Sequence, residues 1–249
     1  GKHGFYPLGY TPGHGFNLIS NPYPCSIEAD VDTWDKQSTA NTVWAWNEED
    51  GNYLYWNSAD VNGTNGYGTL PGGIIPPMQG FFVLGTGEMP QLTIPSRARA
   101  HGDQALYKDR DIVANSLKLS VSGSQYKDVA FVTFAETATQ GYDVDLDTRK
   151  MWGLTEAPQL YTVSDDKQLS INTLPLSGQN SVVDLGFECS KDGSFTLEAL
   201  GFESFIENTP VYLEDLVTGI LTDLRSNPVY SFQHDEENDA GRFRLYFGE

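Results

Sequence analysis

The chain holds 249 residues, with 34 acidic against 15 basic side chains and a formal charge of −19. A surface this acidic repels phosphate backbones and anionic lipid, which argues against nucleic-acid and membrane-surface binding. No apolar run approaches the roughly 18 residues of a membrane span. The 13 Tyr, 13 Phe, 25 Gly and 13 Pro favour short strands joined by turns over helices.

The strand signals begin at Phe16–Ile19, which Asn21, Pro22 and Pro24 stop abruptly. Proline locks φ and removes an amide donor, so NPYP turns the chain away from the strand, and Trp34 beyond it is expected to be a packing anchor. Thr42–Trp46 and Tyr53–Trp56 form a hairpin about Asp50-Gly51-Asn52, followed by strands at Gly80–Leu84 and Gln91–Ile94. Glu28–Lys36 and Ala100–Arg110 are the best helix candidates, both short and polar. Residues 97–114 are polar and mixed in charge and mark a boundary. Beyond it strands are expected at Leu117–Val121, Asp128–Phe134, Gln159–Val163, Leu169–Asn172, Val182–Phe187 and Ser194–Ala199. Val211–Asp215, Ile220–Asp223, Val229–Phe232 and Arg242–Phe247 follow. In the last of these Phe243, Leu245 and Phe247 face one way, and Arg242, Arg244 and Tyr246 the other.

Strands at this spacing predict an all-β chain of two antiparallel β-sandwich, jelly-roll-like domains in tandem. Residues 1–110 form the aromatic, Gly- and Pro-rich domain and residues 111–249 the more regular one. Cys25 and Cys189 stand far apart and read as buried free thiols rather than zinc ligands or a disulfide framework. The chain starts at Gly1 with no signal peptide, which reads as a fragment or processed form.

Three segments carry candidate sites. In the hairpin, Trp44, Trp46, Tyr53 and Tyr55 share one face, with Trp56 on the other. Exposed, such rings would stack on the apolar faces of sugars; the alternative is that they pack inside, as large aromatics usually do. Asp60, Asn62 and Asn65 lie in a turn-rich loop and are oxygen donors of the kind calcium takes, against the alternative of a purely structural loop. In GYDVDLDTRK, Asp143, Asp145 and Asp147 alternate; on a strand they would point one way and repel unless a cation sat among them. Arg149 and Lys150 are local counter-charges, and the glycine of a calcium-binding loop is missing at Thr148. His3, His14, His101 and His234 are widely separated, and no hydrolase, zinc-protease or phosphate-loop motif is present, so no catalytic residues are assigned.

Several stretches together resemble a known pattern: GFNLISNPYP, then GIIPPMQGFFV, then SRARAH, with PQLYTV, LSINTLP, VYLEDLVTG and RFRLYF in the second half. They resemble the β-sandwich region that precedes the C-terminal sorting domain in type IX secretion cargo of Bacteroidetes, large cell-surface, adhesin-like proteins. Phe16 stands where that pattern usually has Trp. The resemblance implies a non-enzymatic extracellular or outer-membrane-surface segment serving as scaffold or adhesin-like module. Its implied partners are the other domains of a parent protein and glycans or host cell-surface ligands. It implies no required cofactor; a structural calcium ion is the one expectation kept from the aspartates. The alternative reading is a carbohydrate-binding accessory module using the aromatic hairpin.

Overall fold

The computed structural model describes residues 4–29, 34–62, 64–100, 113–123, 125–176, 181–205 and 209–248. Among them the chain is all-β, and its helical content is three single 3-10 turns. Two compact units are present. The first comprises Gly1–Trp46, Leu54–Asp111 and Val144–Leu146; the second comprises Asn47–Tyr53, Ile112–Asp143 and Asp147–Glu249.

The first unit contains β1 (Gly4–Pro7), β2 (Phe16–Ser20), β3 (Ile27–Glu28), β4 (Asp35–Gln37), β5 (Thr39–Asn47), β6 (Asn52–Val61), β7 (Thr64–Gly68), β8 (Ile74–Ile75), β9 (Gly80–Gly85) and β10 (Gln91–Ile94). They form sheets in the orders β2-β9-β5-β6-β7, β1-β10-β4 and β3-β8. One core lies among the three sheets: Val43, Ala45, Trp56, Phe81 and Val83 come from the first, Leu92 and Ile94 from the second, Ile27 and Ile75 from the third. Glu28–Lys36, expected as a helix, instead supplies β3 and β4 to either side of Trp34, with residues 30–33 outside the described set. Each flank finds a sheet partner, Ile27 opposite Ile75 and Lys36 opposite Leu92, so pairing overrides a weak helical pattern. The other helix candidate lies, but for Ala100, outside the described residues.

The NPYP corner is held by a side chain as well as by its prolines. Asn21 is buried, and its Nδ2 donates to the carbonyls of Cys25 at 2.9 Å and Pro76 at 2.9 Å. Its Oδ1 accepts the Tyr23 N–H at 2.9 Å. One carboxamide therefore ties NPYP to the IIPP segment, satisfying backbone groups that prolines leave outside any ladder. Tyr23 adds a hydrogen bond from its hydroxyl to the Ile94 carbonyl at 2.8 Å. Trp34 packs at 5.8 Å from Phe81, and its indole N–H reaches the Glu28 carbonyl at 2.8 Å. Gly73, at φ +66°, brings backbone against the Trp56 indole; an added Cβ would stand 2.6 Å from Nε1. Gly73→Ala is expected to destabilise the chain by more than about 1 kcal/mol, read as a fall in the denaturant midpoint.

The second unit contains β11 (Ser116–Gly123), β12 (Tyr126–Ala135), β13 (Thr148–Arg149), β14 (Gln159–Ser164), β15 (Lys167–Pro175), β16 (Val182–Glu188), β17 (Gly193–Leu200), β18 (Val211–Asp215), β19 (Ile220–Asp223), β20 (Val229–His234) and β21 (Phe243–Phe247). Ten strands follow one path, β19-β18-β21-β16-β14-β15-β12-β11-β17-β20, with β13 added beside β15. Leu213 from one end of the path and Phe232 from the other share a single core with Leu119, Leu160 and Leu185 from its middle. The sheet therefore curls round its own apolar face into a nearly closed, barrel-like layer. One pair departs from the antiparallel expectation: β12 and β15 run parallel, Phe131 opposite Ile171. The β14–β15 hairpin turns on Asp165 and Asp166, both at positive φ (48° and 58°), the turn hand that matches strand twist.

The expected alternation holds in β21, where Phe243, Leu245 and Phe247 are buried. Arg242, expected on the solvent side, is instead 2 % exposed. It precedes the strand and finds a carboxylate and two aromatic faces inside. Cys25, expected to be buried, is half-buried, while Cys189 is buried as expected; both thiols are free.

Candidate functional site

The hairpin aromatics do not form one exposed platform. Trp44, Tyr55 and Trp56 are 1 %, 2 % and 3 % exposed, and Tyr53 is half-buried. Only Trp46 of the five is open, at 41 %. Trp56 enters the first unit's core, and Trp44 meets Phe16 edge-on at 5.2 Å. Both faces of the hairpin carry large apolar residues, so burying one face does not free the other for a ligand.

The aspartates do not converge either. Residues 141–147 form a turn rather than a strand, which removes the alternation that would align three carboxylates. Asp143 Oδ2 accepts the Thr139 N–H at 2.6 Å and Oδ1 the Thr139 hydroxyl at 3.0 Å. Asp147 accepts the Asp143 N–H at 2.7 Å and the Thr173 N–H at 2.6 Å. Asp145 is exposed. Asp60 is exposed, and its backbone pairs with Asn65 in the β6–β7 ladder; Asn62 is exposed at the turn with φ 56°. Among the described residues no group of three or more acidic, histidine or cysteine side chains is placed to hold a metal. The Asp143 and Asp147 carboxylates already accept backbone N–H groups. Melting midpoints in calcium and in chelator are accordingly expected to coincide; a rise with calcium would show a ligand set this geometry lacks.

What the sheet does assemble is a cavity of about 380 Å³ in the second unit, lined among others by Trp152, Gln159, Glu188, Cys189, His234 and Glu236. That volume lies at the lower end of small-molecule sites. Trp152 is 43 % exposed and packs edge-on against Tyr161 at 5.3 Å. The Tyr161 hydroxyl donates to Glu188 Oε1 at 2.5 Å. Burial first, then that carboxylate, push the phenol well above its ordinary range, so it stays a donor. Gln159 is locked: Nε2 donates to Asn52 Oδ1 at 2.8 Å, and Oε1 accepts the Gly153 N–H at 3.1 Å.

Cys189 and His234 meet at this cavity but not as nucleophile and base. The thiol donates to the Glu156 carbonyl at 3.4 Å, while His234 Nε2 bonds the Cys189 carbonyl at 2.9 Å. Burial raises the thiol pKa, which disfavours the reactive thiolate. The imidazole is wedged edge-on against Phe187 at 4.9 Å, and its Nδ1 is buried with no hydrogen-bond partner among the described residues. The arrangement suits binding: a partly exposed aromatic face beside carboxylates and an imidazole. Sequence reading passed over Trp152, although it is the one tryptophan beyond the first hundred residues. Its context, KMWG, gives no periodicity to separate a rim residue from a core one.

Among the described residues no helix is long and apolar enough to cross a membrane. No solved structure matches the chain. A curated relative, the minor fimbrium subunit Mfa5 of Porphyromonas gingivalis, is 31 % identical over 136 residues, covering 54 % of this chain and 11 % of the relative. The chain thus spans about a tenth of that relative's length. The family described as Domain of unknown function (DUF8693) matches residues 9–247, and the chain belongs to it.

Proposed function

We propose that the chain is a non-enzymatic, extracellular β module of a longer surface protein, acting as a scaffold or adhesin-like segment. The observation that carries this reading is the likeness to a fimbrial subunit of which the chain would make up only a small part. The all-β fold and the acidic, soluble surface agree with it. On this reading the module is exported by the type IX route, its two units are jelly-roll-like, and its first partners are neighbouring domains of the parent chain. No cofactor is required. Protease shaving of intact source cells, followed by immunoblotting with antibody to this chain, tests the location. Loss of the epitope from intact cells supports the reading; an epitope protected until lysis overturns it.

A second reading places a small polar ligand with an apolar face, such as a sugar, at the Trp152 cavity rather than on the hairpin. The exposed Trp152 ring beside Glu188 favours it. Stacking of one such ring contributes on the order of 1 kcal/mol. Trp152→Ala is therefore expected to weaken any glycan-array signal about fivefold, while Trp46→Ala leaves it unchanged. The reverse pattern would return the site to the hairpin.

A further inference from the structure

We propose that Lys150 and Asp128 form an intramolecular amide cross-link, made by this chain without a partner enzyme. Lys150 follows β13, and Asp128 lies on β12. Their side chains are 2 % and 3 % exposed, and Nζ stands 2.5 Å from Oδ2. The other lysine–carboxylate pairs among the described residues lie at the surface: Lys127 beside Asp50 is 56 % exposed and Lys191 beside Glu156 is 65 % exposed. Water competes at those pairs and is excluded at this one.

Three features of the buried pair favour condensation over a lasting ion pair. An ammonium carries three donors, and among the described residues Nζ has one hydrogen bond, to Asp128. A buried ion so poorly served is costly. The carboxyl is held for attack: Oδ2 accepts the Leu160 N–H at 2.6 Å, and the Val129 amide also bonds this group. Both amides stabilise negative charge that develops on the carboxyl oxygens, as donors of an oxyanion hole do. Burial raises the Asp128 pKa against the opposing pull of Lys150, bringing the neutral acid within reach. In water, amide formation from acid and amine is opposed largely because both reactants gain by ionising; burial removes that gain. Fixed contact replaces a bimolecular encounter with an effective molarity of about 10⁵ M or more.

The step balances without a co-reactant. A proton passes from Nζ to the carboxylate, leaving a neutral amine and a neutral acid. The amine lone pair attacks Cγ, forming the C–N bond. The Cγ–O bond then breaks, and the departing oxygen leaves as water with the proton shed by nitrogen. The product closes residues 128–150 into a ring that carries the Asp143–Asp147 turn and ties β12 to the segment after β13.

Intact mass spectrometry of the denatured full chain decides the matter. The wild type is expected about 18 Da below its sequence mass, the weight of one water. Lys150→Ala and Asp128→Ala are expected at full sequence mass, read without any need that they fold. A tryptic map should show no cleavage after Lys150 and a branched peptide joining it to Asp128. A wild-type chain at full sequence mass, cut after Lys150, overturns the proposal.

Discussion

Replacing Arg242 with alanine is expected to cost about 3–5 kcal/mol of stability, because it strands a buried carboxylate. Arg242 Nη2 donates to Asp215 Oδ2 at 2.8 Å, with the side chains 2 % and 1 % exposed. Nη1 donates to the Gln233 carbonyl at 2.6 Å, and the guanidinium lies 4.5 Å from the Phe232 ring and 5.2 Å from that of Phe243. The same carboxylate accepts the Tyr230 hydroxyl at 2.9 Å and the Val217 N–H at 3.0 Å. Burial alone would raise the Asp215 pKa; the hydrogen bonds from Arg242, Tyr230 and Val217 and the Arg242 charge outweigh it and hold the group below its ordinary value. A depressed carboxyl contributes stability above its unfolded pKa and loses it as pH falls through the folded one, so this cluster favours folding at neutral pH. The expected fall in melting midpoint for Arg242→Ala is about 10 °C. Arg242→Met combined with Asp215→Asn is expected to recover part of it, since the pair then leaves no charge unpaired. A double variant as unstable as the single would show that lost packing, not the stranded charge, carries the cost.

Asp147 is expected to act in the opposite direction. Burial is the main cause of its pKa rising to about 7; the Thr173 and Asp143 backbone donors oppose this, and the charges of Asp143 and Asp165 add to it. A carboxyl raised in the folded state contributes stability that is whole below the unfolded value of 3.8 and is lost as pH climbs through about 7. Across that window the loss from this one group is on the order of 4 kcal/mol. Asp147→Asn does not titrate, so the stability of the wild type minus that of the variant isolates the effect from the other carboxylates. This difference is expected to fall steadily from pH 4 to pH 8, measured by denaturant unfolding at each pH. A difference that stays level across the range would mean Asp147 is ionised throughout.

The two groups sit in one unit and differ in what surrounds the carboxylate. Asp215 has a guanidinium on it, and Asp147 has only backbone amides with two further carboxylates nearby. Similar burial therefore gives opposite titrations, because hydrogen bonds from Arg242 and Tyr230, together with the Arg242 charge, outweigh desolvation at Asp215, where two amide dipoles do not at Asp147.

Much of the strand content was legible along the chain. Gln91–Ile94 and Val211–Asp215 stand where their alternating apolar residues put them, because a period of two needs only local sequence. The corner at NPYP was legible for the same reason: proline acts on its own φ and its own missing amide, whatever the rest of the fold does. Short strands such as Ile27–Glu28 and Thr148–Arg149 were not legible, since two residues carry no period and exist as strands only through Ile75 and Ile171 opposite them.

The candidate sites depended on tertiary structure throughout. Sequence placed Trp44 and Tyr55 on one face of a hairpin but could not say that this face is covered as well as the other. It counted Asp143, Asp145 and Asp147 as alternating, yet a turn there buries Asp147 against backbone amides, leaves Asp143 half-buried on the Thr139 N–H and leaves Asp145 outside. Arg242 with Asp215, and Lys150 with Asp128, are joined across 27 and 22 positions of chain. Composition and period determined that the chain is all-β, acidic and turn-rich. Which charges lie inside, and which partners meet them, was decided by strand pairing that brings distant residues together, because burial and ion pairing are properties of the space around a side chain and not of its neighbours in sequence.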